Sequence, residues 1–208
     1  MTIQKAMTEL RKGNFVLVYD GDDREGEADL IMAAKFITPE KIETMRKDGG
    51  GLICAAINKQ KADEIGLPFF TDLVESGNSN LVKMSCRKTA YGDKPAFSIP
   101  INHNGVYTGI TDKDRALTLT RLNEVITKKI KSFTKEFYTP GHIFLLIGRG
   151  LKNRRGHTEL ALELGKQANF EVMVLCEMLG KKNALSKNDA KKYAKNHGLV
   201  FIEGKEIG

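Results

Sequence analysis

The chain has no tryptophan, and its three cysteines, Cys54, Cys86 and Cys176, stand far apart with no metal-ligand spacing. Three thiols cannot all pair, which fits free thiols in a reducing cytosol better than a disulfide scaffold. No run of about 18 apolar residues occurs, so no transmembrane helix is expected. The N-terminal Met1-Thr2-Ile3-Gln4-Lys5 lacks the apolar centre of a signal peptide. Repeats, low-complexity tracts and long linkers are missing too. Neither G-x-G-x-x-G nor G-x-x-x-x-G-K-[ST] is present, so nucleotide-binding folds of those types have no local support. Aromatic residues are sparse, and no recognisable nucleic-acid motif accompanies the lysines.

What is present suits one globular domain over residues 1–208: 41% of the chain is hydrophobic and 28% charged, enough to bury a sizeable core. The net charge of +7 favours anionic partners, phosphorylated metabolites or nucleic acids. Much of the excess sits in Lys181, Lys182, Lys187, Lys191, Lys192 and Lys195, which read as a solvated helix face.

Ile3, Ala6, Met7 and Leu10 recur at helical spacing, closed by Gly13. Residues 15–19 read as a buried strand. Thr38-Pro39-Glu40 opens a helix with a cap, a proline and an early carboxylate, and Asp48-Gly49-Gly50-Gly51 should end it. Further strands are expected at 52–57, 96–101, 143–147 and 172–176, with Pro100 pushing its strand toward an edge, and the chain is apolar again at 199–202. Thr111 could cap a long helix, residues 158–168 form another with Thr158 as cap, and Ser186 caps a third. The stretch 68–93 carries turn signals and is expected to be irregular or mobile. Alternating elements with continuously apolar strands imply a mixed α/β or α+β layered domain, its strands covered on both faces.

The densest chemical signal lies at residues 20–29, Asp20-Gly21-Asp22-Asp23-Arg24-Glu25-Gly26-Glu27-Ala28-Asp29. Six carboxylates and an arginine share ten positions, bracketed by apolar residues. Carboxylates crowded beside a core repel one another, and a metal, an arginine or a substrate must offset that. A solvated acidic loop with internal Arg24 pairs is the plainer alternative. The second signal is Asn153-Arg154-Arg155-Gly156-His157-Thr158-Glu159, where basic residues, a glycine and a hydroxyl meet at a helix start suited to phosphate. His157 with Glu25 could hold a hard divalent ion and leave positions open for substrate. His142, just before an apolar strand, and Glu177, at the end of another, make an acid–base pair. Cys54 lies in a strand, where core packing is the favoured reading over a place in a pocket. Cys86 and Cys176 read as small core residues, and His103 and His197 as surface or structural.

These residues resemble the 3,4-dihydroxy-2-butanone 4-phosphate synthases of riboflavin biosynthesis. The matching pieces are Asp22 to Leu30, Gly50-Gly51-Leu52-Ile53-Cys54, Thr108-Gly109-Ile110-Thr111-Asp112-Lys113-Asp114-Arg115, Thr139-Pro140-Gly141-His142, Arg155-Gly156-His157-Thr158-Glu159 and Leu175-Cys176-Glu177. They occur in family order and span nearly the whole chain. The resemblance implies an α+β fold, a mixed-sheet layered α/β/α single domain, working as a cytoplasmic homodimer with active sites near the interface. It implies a lyase that converts D-ribulose 5-phosphate into L-3,4-dihydroxy-2-butanone 4-phosphate and formate through a metal-stabilised enediolate, using Mg²⁺ or Mn²⁺. Carried over by motif, Glu25 and His157 would ligate the metal, and His142 and Glu177 would be catalytic. Arg24, Glu25, Asp29, Arg154, Arg155, Gly156, His157 and Thr158 would bind substrate, with Thr108 and Cys54 lining the pocket and Asp20 and Glu27 nearby.

Three departures stand out. Ala28 and Arg155 replace common glycines. The chain ends at Gly208, before a GTP cyclohydrolase II domain could follow, so a monofunctional enzyme is expected. The lysine-rich composition suggests an archaeal-type member. Another metal-dependent sugar-phosphate aldolase or isomerase is the nearest alternative, and a basic nucleic-acid-binding protein a more distant one.

Overall fold

The computed structural model describes residues 2–77, 79–85, 89, 92–128 and 133–208. In chain order its elements are α1 (Thr2–Arg11), β1 (Val16–Tyr19), β2 (Ala28–Ala33), α2 (Pro39–Asp48), β3 (Cys54–Asn58), α3 (Lys59–Glu64), α4 (Phe70–Glu75), α5 (Ser79–Ser85) and β4 (Phe97–His103). There follow α6 (Asp112–Thr127), α7 (Phe133–Glu136), β5 (Phe137–Gly148), α8 (His157–Ala168), β6 (Val172–Glu177), α9 (Lys187–Asn196) and β7 (Val200–Glu203).

The strands form one mixed sheet in the order β4-β5-β3-β6-β2-β1-β7. Alternate side chains leave opposite faces of each strand, and both faces are covered. On one face Met32, Ala55, Val174 and Leu145 pack under α2 and α6 through Ile42, Met45, Leu119 and Leu122. On the other, Ile31, Cys54, Ala56, Leu146 and Leu175 meet α1 and α8 through Leu10, Leu160 and Leu164. Ala190 and Ala194 bring α9 onto Leu17 and Leu30. The result is the α/β/α layering expected from continuously apolar strands.

Local chemistry accounts for the element starts. Thr38, Thr111 and Ser186 each accept a backbone N–H from three residues on, capping α2, α6 and α9. Pro100 sits on the edge strand β4, where a missing N–H costs little. The structure also differs from expectation. α8 starts at His157 with Gly156 as N-cap, so Thr158 lies inside the first turn and caps nothing. β5 runs from Phe137, taking Thr139 to His142 into the sheet beside β4 rather than ahead of the strand. Within 68–93, α4 and α5 replace irregular chain. Cys86 and part of the turn at 91–93 lie outside the described residues. Among the described residues, no helix is long and apolar enough to cross a membrane.

Candidate active site

The acidic run is the loop of the β1–β2 hairpin. Antiparallel pairing aligns Tyr19 with Ala28, and Asp20 N–H donates to the Glu27 carbonyl across the neck. Asp20 shapes the loop: its buried carboxylate accepts the backbone N–H groups of Gly21, Glu25 and Glu27 at 2.9–3.0 Å. That use of oxygens fixes the loop backbone and turns Glu25 and Glu27 toward one place.

The sheet delivers the other groups. Asp29 pairs with Glu177 across β2 and β6, which puts both on the face that α8 covers. The first turn of α8 lowers His157 onto them. Its Nε2 lies 3.1 Å from the Glu27 carbonyl, which can only accept, so Nε2 carries a proton. Its Nδ1 then faces Glu25 Oε2 at 3.8 Å, too far for a hydrogen bond. Asp29 Oδ1 stands 3.5 Å from Nε2, is buried, and has no hydrogen-bond partner.

Charge is unbalanced here. Burial, helped by the charges of Glu177 and Glu25, pushes Glu27 up to about 7. Burial likewise raises Asp29 to about 6 in spite of the neighbouring His157. Glu177 is raised by burial and by Asp29. Burial alone would lower His157, but Asp29, Glu25 and Asp20 outweigh it and drive the imidazole up to about 9. The site therefore holds more anionic groups than cations to meet them, and binds protons where a cation would serve. Asp20, Glu25 and His157 offer donor atoms within 4.8 Å of one another. Carboxylate oxygens with one imidazole suit a hard divalent ion, and the orphaned Asp29 oxygen adds to the fit.

A cavity of about 290 Å³ opens over this cluster, lined by Glu25, Asp29, Cys54, Arg154, His157, Thr158 and Glu177 together with apolar walls such as Leu52, Phe97 and Leu146. Arg154 closes one side, its Nη2 3.6 Å from Glu25 and its Nε 3.5 Å from Asp93. Arg24 reaches the same Asp93 carboxylate at 2.8 Å. The Cys54 thiol is buried and pushed up by burial and by Asp29, so it serves as cavity wall. A larger neighbouring cavity, about 610 Å³, is lined by Phe70, Val74, Leu81, Met84 and Phe144, and none of its described lining residues is titratable.

The remaining expected residues lie apart from that lining. Arg155 is exposed and donates to the Gly204 carbonyl. Thr108 is exposed in a turn whose backbone N–H groups converge on Asp114. Gly156 caps α8 beside Arg154. His142 is exposed on β5, its N–H donating to Asn102 Oδ1 at 2.9 Å and its Nδ1 3.2 Å from the Asn102 amide nitrogen. Phe144 and Leu175 flank Cys54 on either side of β3. His142 and Glu177 lie two residues beyond Phe144 and Leu175, toward the same end of β3, with His142 in the stretch where β5 departs from regular register with β4.

Sequence reasoning missed Asn102, Asp93 and Glu159, which hold His142, Arg24 and Arg154. Only Glu159 had a local signal, its place in the first turn of a helix behind two arginines.

Residues 4–208 match the family model described as 3,4-dihydroxy-2-butanone 4-phosphate synthase. The chain belongs to the 3,4-dihydroxy-2-butanone 4-phosphate synthase family. A synthase of that name from Methanothermobacter thermautotrophicus is 42% identical over 214 residues, covering 99% of this chain and 93% of its own length. One from Methanosarcina acetivorans is also 42% identical, covering 99% and 89%. Among solved structures, a 3,4-dihydroxy-2-butanone 4-phosphate synthase in complex with two magnesium ions superposes with a TM-score of 0.81 at 27% identity, over 99% of this chain and 94% of that one. The synthase fold and its mixed layered sheet are thus those of this chain.

Proposed function

We propose that this protein is a lyase converting D-ribulose 5-phosphate into L-3,4-dihydroxy-2-butanone 4-phosphate and formate in riboflavin biosynthesis, with Mg²⁺ as cofactor and Mn²⁺ as a substitute. The observation that carries the reading is the cluster of Glu25, Glu27, Asp29 and Glu177 around His157, in a chain that belongs to the synthase family throughout. The reaction needs no oxidant or reductant, since the two products together contain all the atoms of the substrate. It does need several proton transfers on one sugar, and a carboxylate-rich cavity supplies the groups.

Glu25 and His157 would hold the ion. When bound, it stabilises negative charge on adjacent sugar oxygens. Glu27, raised to about 7, is suited to hold and release a proton at working pH, and burial with the charge of Asp29 raises Glu177 in the same direction. Glu177 and His142 are assigned the essential proton transfers, Arg24, Glu25 and Asp29 the sugar, and residues 154–158 the phosphate end. Anchoring that end lets binding energy from a non-reacting group hold the carbon skeleton as it rearranges.

We read residues 1–208 as one catalytic domain acting as a homodimer in the cytoplasm. Buried free thiols at Cys54 and Cys176 suit that compartment. Exposed Leu52, Tyr107, Ile110 and Leu179 offer apolar surface for a second copy. An active site near the interface accounts for exposed Thr108 and His142. Incubation with ribulose 5-phosphate and Mg²⁺ tests the activity; folded protein that releases no formate sinks it. An aldolase or isomerase would consume the same substrate without formate.

A further inference from the structure

We propose that Glu159 is a positioning residue for the substrate's phosphate end, acting through Arg154; this rests on the assignment of residues 154–158 to that end.

Glu159 is a charged side chain with no solvent exposure, in the first turn of α8. A buried carboxylate survives only if its oxygens are matched. Both are. Oε1 accepts the Arg149 N–H at 3.0 Å and Oε2 accepts Arg154 Nη1 at 2.6 Å. One carboxylate therefore clasps both ends of the loop 149–154, which leads from β5 into α8. The Arg149 side chain does not compete, because it stacks on Phe69 at 4.0 Å and donates to the Lys94 and Pro95 carbonyls.

The clasp holds the Arg154 guanidinium by one corner. Nη1 is fixed by a short, charge-assisted bond. Nη2 faces Glu25 of the cavity lining at 3.6 Å, looser than a good hydrogen bond, while the buried Nε lies 3.5 Å from Asp93. The contact with Glu25, at the cavity lining, is the one an incoming anion can replace. Gly156 makes the pose possible: a Cβ there would sit 2.2 Å from Nη1. Glu159 does not line the cavity, so it acts on the ligand only through Arg154. A guanidinium already fixed beside a helix N-terminus loses little freedom when it takes a phosphate.

The test is Glu159→Gln, which keeps an acceptor for Arg149 N–H and removes the charge. KM for ribulose 5-phosphate, and the calorimetric Kd for inorganic phosphate, should each rise about tenfold or more, with kcat within about threefold. In an Arg154→Ala background the same change should add almost nothing to the phosphate Kd. Wild-type KM and Kd in Glu159→Gln overturn the proposal, as does an equal effect without Arg154, which would mark a general structural role. If Glu159→Gln does not fold, Glu159→Asp, with its charge kept and its reach shortened, should show the same rise in phosphate Kd. If neither folds, the carboxylate is structural and the proposal is wrong. Phosphate binding that depends on Glu159 in a protein releasing no formate would sustain the clasp and refute only the reaction.

Discussion

A divalent cation that takes His157 as ligand must first displace its proton. The imidazole is buried among carboxylates and raised to about 9. At pH 7.5 it is therefore mostly protonated, and ligation releases about one proton. Glu27, at about 7, contributes roughly a quarter of a proton more at that pH. The apparent association constant for Mg²⁺ should then climb about tenfold per pH unit between pH 7 and 8.5. Titration calorimetry of the metal-free protein with magnesium chloride, in buffers of differing ionisation enthalpy, counts the protons. About one proton per ion, lost in His157→Gln, is the expected result. Release of less than about a third of a proton, with an affinity flat across this range, would refute the placement of the ion on His157.

Three further predictions follow from the same geometry. In the metal-free protein, His157 is raised above its unfolded value of 6.5, so its stabilising effect is complete below that pH and lost as pH climbs through about 9. Asp29 and Glu27 are raised too, to about 6 and about 7, so the folded state favours their protonated forms and their ionisation costs stability as pH climbs through those values. All three agree in sign, and thermal denaturation should give a higher Tm at pH 6 than at pH 9, by about 2–4 °C for each kcal/mol involved; a Tm that climbs with pH would contradict it. Glu177→Gln and His142→Ala should each lower kcat by at least about a hundredfold while keeping a native circular dichroism spectrum. Because Glu177 adds charge beside Asp29 and Glu27, Glu177→Gln should also melt no lower than wild type when metal-free; a lower melting point, or wild-type turnover, would count against its role. Gly141→Ala places a Cβ 1.9 Å from the Ile101 backbone, so β4 and β5 must part, and chemical denaturation should show a loss of about 3 kcal/mol or more.

The sequence was legible where short-range physics decides the outcome. β1 and β6 are continuously apolar because both faces of the sheet are covered, and Thr38, Thr111 and Ser186 announce their helices through caps. β2 was hidden because Asp29, a site residue, interrupts the apolar pattern of the strand that carries it. The start of β5 was hidden because Pro140 and Gly141 read as breakers, yet they lie beside an edge strand that tolerates them. α4 and α5, six and seven residues long, are too short for their apolar residues to show a helical period. In the site, Glu25, Asp29, Arg154, His157 and Glu177 were legible from residue type and local clustering, and they line one cavity. The supporting residues were not. Asn102 lies 40 residues from His142, and Asp93 lies 69 from Arg24, distances that only the folded sheet closes. The strands that carry His142 and Glu177 are likewise brought to either side of Cys54 only by one parallel and one antiparallel pairing to β3.

The central claim is the reaction itself. Purified protein, freed of metal with EDTA and then given Mg²⁺ and ribulose 5-phosphate, should release one formate for each sugar phosphate consumed and none while the chelator is in excess. Sugar phosphate consumed without formate, or formate released regardless of chelation, would contradict the account.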